Sequence, residues 1–595
     1  MKIDYFKDNL SKAHLAEKVC LERSNRISLL RFVAFCSMIV IWAFGYDQQN
    51  LLCYFLAILC LGYFVYLIKN QQKLKSRQRL LKSRQTVLQQ YLDRFSKNWH
   101  SFPENGKEYL TETTTQAKDL DILGTASLYQ YICTAYTAYG KQKLSDVLLD
   151  APQNAANIKK RQQSVSDLAA QQDLSIDLQV LLNLLPAKQA TLADSENFLI
   201  QIESNESYAG STLKFFISVM PILTILSLIC GELGMFSWQI GLIFLFVQFA
   251  LSGFFYGKNS SFLAPLSSFD QQLKMYEQIF YMIENAVFTS PLQELQTNLT
   301  KDGGACKKIR KLYRISECAK MRGNIFFYFI ANTLFLWDFQ CALHFTKWKK
   351  NTAHDVRIWL DALGEFEMTL SLAVLCHVKE NYVFPTITDS ASPIIEADDL
   401  SHVLLEESSA IANSLEINAT TCIITGSNMS GKTTFLRSLG ISSILAYAGG
   451  PVCAKSFNVS PMNIFTSMRI EDDISKGIST FYAELLRIKG MVEFSKSRQP
   501  MLILIDEIFK GTNSADRIIG AAETIRKLTN PWSIAFVSTH DFELCRLAES
   551  EHLPIVNYHF EEYYTDNEIH FDYKLKPGQC QTTNAKYLLK MAGIL

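Results

Sequence analysis

The run Gly426, Ser427, Asn428, Met429, Ser430, Gly431, Lys432, Thr433 and Thr434 has the residue types and spacing that hold a polyphosphate. Its two glycines let a loop wrap phosphates with inward-pointing N–H groups at a helix N-terminus. Lys432 is expected to reach the β- and γ-phosphates, and the Thr433 hydroxyl to ligate Mg2+. A second set suits the same chemistry. Asp506 and Glu507 end the continuous apolar run Met501–Ile505. Asp506 is the expected second holder of Mg2+, through water. Glu507 is placed to orient or deprotonate an attacking water, which makes hydrolysis of ATP to ADP and phosphate the expected reaction. His540 follows a third apolar run and reads either as a γ-phosphate sensor or as a structural histidine.

These side chains meet only if the runs around them fold in a particular way. The β-branched run Thr420–Ile424 must be a strand that feeds the loop, and a helical pattern follows it. Met501–Ile505 and Trp532–Val537 read as buried parallel strands. The expected unit is therefore a P-loop α/β domain with its ligand at the carboxyl ends of the strands. Between the motifs lies Phe465–Phe481, which is polar, acidic and runs into a helix. Asp472, Asp473, Ser479 and Thr480 are available there as helix caps.

In this order and spacing the motifs resemble the MutS family of mismatch-repair ATPases over about Leu400–Leu595. TGSNMSGKTTFLRSLG is similar to the family's phosphate loop and helix, and FTSMRIEDDISKGISTF to its STF-type helix start. LILIDEIFKGTNSADR is similar to its DEIGRGT-type strand and loop, STHDFEL to its TH-containing switch, and LKPGQCQTTNAKYLLKMAGI to its last segment. Leu120–Ala169 resembles the start of the family's helical core or lever domain. Thr137, Gly140, Leu144, Leu149, Pro152 and Arg161 hold the recognisable positions there, with helix packing as their expected role.

The resemblance implies ATPase domains that dimerise head to head and share composite sites. Ser479 would face the γ-phosphate across the dimer, and Thr512, Asn513 and Asp516 would form the loop crossing that interface. Asn428 would lie near the phosphates. DNA binding is also implied by the resemblance. The family's Phe-x-Glu mismatch wedge and its domain have no counterpart in the N-terminal part of the chain, and Ser467 stands where many relatives have Arg.

The 595 residues suggest roughly three or four domains at about 150 residues each. With 58 Lys+Arg against 58 Asp+Glu, no global basic excess attracts nucleic acid. The hydrophobic fraction of 48% excludes a disordered chain. The 14 Cys form no CxxC pair, so they suggest reduced thiols rather than a zinc or redox motif. A mean hydropathy of +0.05 points to membrane spans. Ile27–Tyr46, with only Arg31 charged, and the charge-free Leu51–Ile68 are joined by Asp47–Asn50. Phe215–Gly231 and Met235–Tyr256 are joined by Glu232–Gly234. Each run approaches the ~20 residues that cross a bilayer core, giving two helical hairpins and about four spans.

Lys and Arg flank both hairpins and are missing from their short links, which places both termini and the ATPase domain in the cytoplasm. In a bacterium the protein would be a multi-pass protein of the inner membrane. The basic run Lys73–Arg84 reads as an anchor for anionic headgroups or as a nucleic-acid arm. Ile325–Phe345 contains Asn332, Asp338, Gln340 and His344, and is expected to be one buried or amphipathic soluble helix.

The expected organisation is a cytoplasmic segment 1–26, a transmembrane hairpin 27–68 and a basic helical linker 69–114. A helical core follows in two parts, 115–210 and 258–390, with the second hairpin 211–257 between them, and the ATPase domain occupies 391–595. The functional expectation is a membrane-anchored, dimeric ATPase coupled to DNA without specific mismatch reading. An ATP-driven remodeller of a membrane protein or lipid client is the alternative. An ABC-type transporter ranks last, because no LSGGQ-like run precedes Met501–Glu507.

Overall fold

The apolar runs of the nucleotide-binding region assemble into one sheet of the computed structural model. That structure describes residues 2–580 except 112–113, 151–153, 186–191, 204–207, 209, 236, 290, 391, 470–479, 510–513, 551 and 566–567. In spatial order the strands are β12 (Lys576–Pro577), β9 (Ile555–His559), β4 (Thr421–Thr425), β8 (Ser533–Thr539), β7 (Met501–Ile505) and β6 (Asn463–Ser467). All neighbours are parallel except β12 and β9. Strands β4, β7 and β8 are buried along their whole length, as uninterrupted apolar runs require. Because β8 lies between β4 and β7, the residue after it emerges between the phosphate loop and the acidic pair.

A second sheet, ordered β1 (Thr386–Ile387), β5 (Ser456–Val459), β2 (Ile394–Leu400) and β3 (Asn413–Asn418), precedes and interrupts the first in sequence. An antiparallel hairpin, β10 (Glu562–Thr565) and β11 (Glu568–Phe571), follows β9.

The helical part is organised on one helix, Trp337–Val378, of 42 residues. At 1.5 Å per residue it is roughly 63 Å long. Helices Ala138–Leu149 and Ala155–Ala170 pack along it. Thr137 caps the first of these by accepting from the Gly140 N–H at 3.1 Å. The buried Glu367 carboxylate of the long helix accepts from the N–H groups of Tyr136 and Thr137 at 2.7 and 3.0 Å. A Cβ on Gly140 would lie 2.6 Å from Glu367 Cβ, so only glycine permits this approach. The expected packing role of Thr137 and Gly140 is what the structure shows.

The helical part also grips the phosphate-loop helix, Lys432–Tyr447. A Cβ on Gly440 would meet Leu120 Cδ2 at 2.6 Å. The Arg161 guanidinium donates to the Ala448 and Tyr447 carbonyls at 3.4 and 3.5 Å, where the helix leaves carbonyls unpaired. The strongest link is Asp119, which is fully buried. It accepts from Thr466 Oγ1 (2.8 Å), Met468 N (3.1 Å), Arg469 N (3.2 Å) and Arg487 Nη1 (2.8 Å).

At the N-terminus, Lys2–Asp47 and Leu51–Arg94 form a long antiparallel helical pair. Neither helix breaks at residues 26–27 or 68–69. Phe6, Ala13, Cys20 and Ala34 are buried along the first helix at heptad-compatible spacing. Phe6 stacks on Tyr91 at 4.6 Å and so seats the base of the pair in the helical core. Beyond that base the apolar side chains face outward, among them Phe32, Val40, Leu51 and Ile58. Arg31 donates to Gln71 across the pair.

Among the described residues three helices are long and apolar enough to cross a membrane, Lys2–Asp47, Leu51–Arg94 and Thr212–Glu232. The count is up to five if each of two bent pairs is one span. The return arm of the second hairpin, Gln239–Phe254, meets the length requirement only together with Tyr256–Leu266, after a bend of 64°. The expectation of one buried or amphipathic soluble helix over Ile325–Phe345 is corrected to two helices. Ile325–Phe335 ends at Leu336, whose φ of 50° is left-handed, and the chain turns 77° into the long helix. Its first half is exposed and apolar, whereas Asp338 is buried.

Asp119→Ala should destabilise the joint by about 1–3 kcal/mol, because it leaves the Thr466, Met468 and Arg469 donors without their acceptor. Lys489→Ala, in an exposed pair with Glu493, should cost under about 1 kcal/mol. Denaturant unfolding of the detergent-solubilised protein measures both.

Candidate nucleotide-binding and hydrolysis site

Strand β4 delivers the chain into a loop whose first residue, Gly426, has φ 151°. A Cβ there would meet the Phe560 carbonyl oxygen at 2.7 Å. Gly431, φ 108°, ends the loop and caps the helix that begins with Lys432. Between them Asn428 and Met429 are exposed and Ser430 is buried. Thr434 is exposed in the first helical turn. The Lys432 ammonium donates to the carbonyls of Gly426 and Ser427, both at 2.8 Å, and so spans the loop. Burial pulls the Lys432 pKa down, opposed by the charges of Glu507 and Asp506.

The acidic pair arrives from β7. Asp506 accepts from Thr433 Oγ1 at 2.7 Å and from Ser538 Oγ at 2.6 Å. Its own N–H donates to the Ser467 carbonyl on β6. Strands β6, β7 and β8 and the phosphate-loop helix therefore meet at one residue, with β8 and the helix bonded to its carboxylate. Glu507 adopts a left-handed conformation, φ 56°, uncommon for a residue with a side chain. Its N–H donates to Ser538 Oγ at 2.9 Å. His540 Nε2 lies 2.9 Å from both Glu507 Oε1 and Asn428 Oδ1. The tautomer with hydrogen on Nε2 satisfies both acceptors.

Thr433 and Asp506 present hard oxygen donors at the mouth of the loop. That set fits Mg2+, which takes one or two protein oxygens and completes its shell with waters and phosphate oxygens. Among the described residues no group of three or more His, Cys, Asp or Glu forms a separate metal site.

The structure thus brings Asn428, Lys432, Thr433, Asp506, Glu507 and His540 to one place. Asp516 is exposed in the first turn of helix Ser514–Leu528. Its neighbour Arg517 donates to both Asp541 oxygens at 2.8 Å, which fixes that helix to the turn after His540. Ser479, Thr512 and Asn513, expected at the dimer interface, lie outside the described residues, as do Pro152 and the family-like tail 581–595.

Three participants had no assigned role in the sequence reading. Ser538 serves both acidic residues, and its position in the STHD run was the available signal. The buried Glu562 accepts from Ser427 Oγ at 2.7 Å. The exposed Tyr573 places its ring against the loop, with Cδ1 3.2 Å from where a Gly431 Cβ would be. Asn413 holds that region by donating to the Tyr573 carbonyl at 3.1 Å and accepting from Leu575 N at 2.7 Å. No local pattern announces the last two contacts.

A parallel sheet with a phosphate loop after one strand and an acidic pair after another defines a P-loop nucleotide-binding domain. Residues 422–594 match the family model described as MutS domain V, the family's P-loop ATPase domain. The chain is 31% identical over 238 residues to the DNA mismatch repair protein MutS of Natronomonas pharaonis, covering 39% of this chain and 27% of that protein. It is 33% identical over 245 residues to the MutS protein homolog 4 of Mus musculus, covering 39% and 24%. With the mitochondrial DNA mismatch repair protein mutS homolog of Sarcophyton glaucum it shares 32% over 231 residues, covering 37% and 23%. Over this domain the chain is similar to the MutS family. The matched region spans about a quarter of the length of these curated relatives.

Ser538→Ala removes one partner from each acidic residue and should lower Mg2+-dependent ATP turnover about 10–100-fold, the usual cost of losing a hydrogen bond that orients a metal ligand. Lys432→Ala should abolish nucleotide binding. Steady-state turnover and binding of a fluorescent ATP analogue read out the two variants.

Proposed function

We propose that the chain is a membrane-tethered ATPase of the MutS type whose heads pair on ATP and separate after hydrolysis. The observation that carries this reading is the meeting of Asn428, Glu507 and His540 within 2.9 Å contacts, beside Thr433 and Asp506. Lys432 and the loop amides hold the phosphates, and Tyr573 offers a ring for the base to stack on. Thr433 and Asp506 would hold Mg2+, which when bound would supply charge neutralisation at the phosphates. Glu507 accepts the proton of the attacking water, and the His540 Nε2–H orients its carboxylate. Ser479, Thr512, Asn513 and Asp516 complete the site from the second copy.

Membrane anchoring rests on the outward-facing apolar side chains of the N-terminal pair and of Ser211–Glu232. Lys73, Lys75, Arg77 and Arg79 are exposed where the first pair emerges from the helical core, as a collar for anionic headgroups would be. Both termini and the head then lie on the cytoplasmic side.

The relatives' names connect them with DNA mismatch repair, and DNA is the first proposal for what the helical arms engage. A second reading, a membrane-protein or lipid client, has an observation of its own. Of the basic residues on the arms, Lys308 pairs with Asp355 at 2.7 Å and Arg310 with Glu277 at 2.6 Å. Lys349 is buried and donates to the Gln201 carbonyl. Charges so engaged contribute less to a phosphate track.

Glu507→Ala should keep ATP binding, lose about 10²–10⁴-fold in turnover and accumulate as an ATP-bound dimer by light scattering. A variant that stays monomeric with ATP refutes the head-to-head arrangement. Turnover of the parent protein with linear, mismatched and branched duplexes at two salt concentrations separates the two clients. Salt-sensitive stimulation supports DNA, whereas indifference to every duplex moves the assignment to a membrane client.

A further inference from the structure

The short helix Ile325–Phe335, IFFYFIANTLF, has no charged residue. One face packs on the second hairpin, where Phe329 stacks on Phe249 at 5.8 Å and Ser252 Oγ donates to the Asn332 carbonyl at 3.5 Å. Around that contact the helix surface is bare and apolar, with Phe326 79% and Ile330 62% exposed. A face of this kind in water would carry the full cost of apolar hydration.

Two features say what covers it. First, each end of the helix has a local hydrogen-bonded cap, which lowers the cost of placing it in hydrocarbon. Asn324 accepts from the N–H groups of Phe326 and Phe327 at 3.1 and 3.2 Å. At the other end the Asn332 carbonyl accepts from Leu336 N, and its side chain accepts from Asp338 N at 3.0 Å. Second, the chain enters and leaves side by side. Trp337 Nε1 donates to the Cys318 carbonyl at 2.9 Å, and Arg322 lies 3.4 Å from Asp338. Eleven residues span about 16 Å, roughly half of a 30 Å hydrocarbon core. An element so short, with both flanks fastened together, can enter one leaflet but not cross.

We propose that Ile325–Phe335 is a re-entrant helix embedded among lipid acyl chains in the cytoplasmic leaflet, beside the second hairpin. This rests on the membrane anchoring proposed above. It adds a function to that reading, because the helix continues through Leu336 directly into Trp337–Val378. The bilayer and the core that grips the phosphate-loop helix are then joined through the bent corner at Leu336, a single residue between the two helices.

The test places the photo-crosslinking residue p-benzoylphenylalanine at Phe326 or Ile330 of the full-length protein in phosphatidylcholine–phosphatidylglycerol vesicles. The same probe at Leu226, exposed on the second hairpin, reports on anchoring. Ile358, exposed on the long helix about 33 Å beyond the bend, is the aqueous control. Lipid adducts at 326 and 330 comparable to those at 226, with background at 358, are expected by mass spectrometry. Adducts at 226 but not at 326 or 330 overturn the re-entrant helix and leave the hairpin in the membrane. Their absence at 226 as well overturns the anchoring and this inference with it.

Discussion

Asp119 has no access to water, so its charge must be met by protein, and all four donors come from the nucleotide-binding region. Leaving such a carboxylate unpaired costs several kcal/mol, which makes this contact the joint on which the relation of the two regions depends. One of its donors, Arg487, sits on helix Thr480–Ser495. The same helix sends Glu484 to accept from the N–H of Phe509 at 2.7 Å, two residues beyond Glu507. The Asp119 joint and the turn that carries Glu507 therefore share one helix. A displacement of that helix alters the support of both.

Sheet order supplies the complementary constraint. Had β4 and β7 been neighbours, the phosphate loop and the acidic pair would touch with nothing between them. Insertion of β8 leaves one strand's width, filled at the carboxyl end by Ser538 and His540. Ser538 ties Asp506 and Glu507 down from the side, and His540 closes the gap to Asn428. The hydrolytic geometry thus follows from parallel pairing in register, Ile505 opposite Val537 and Thr425 opposite Thr539.

The parts of this arrangement that were legible in the sequence are those in which chemistry and local pattern coincide. Gly426 to Thr433 needs its residue types in that order, and Asp506-Glu507 needs a buried strand before it, so both stand out in one dimension. Contacts such as Ser427 with Glu562, or Gly431 with Tyr573, join residues far apart through ordinary side chains and leave no local trace. Ile325–Phe345 misled for a different reason. Asn332 and Asp338 look like the polar face of a soluble helix, yet they mark a break, where the Asn332 side chain accepts the Asp338 N–H left over by the turn at Leu336. Hydropathy averaged over the run cannot separate a polar face from a polar hinge.

The long helix gives these local facts a mechanical sense. Glu367 fastens it to the N-terminus of Ala138–Leu149, and Leu120 lies against the phosphate-loop helix at Gly440. Its carboxyl end holds the start of the chain, since Lys2 donates to the Cys376 carbonyl at 2.8 Å and Phe6 packs nearby on Tyr91. Both apolar regions are therefore mounted on the same helix, the N-terminal pair at its carboxyl end and the second hairpin at its amino end. A close-packed helix transmits displacement rather than absorbing it. The head closure proposed above would therefore move the two apolar regions relative to each other.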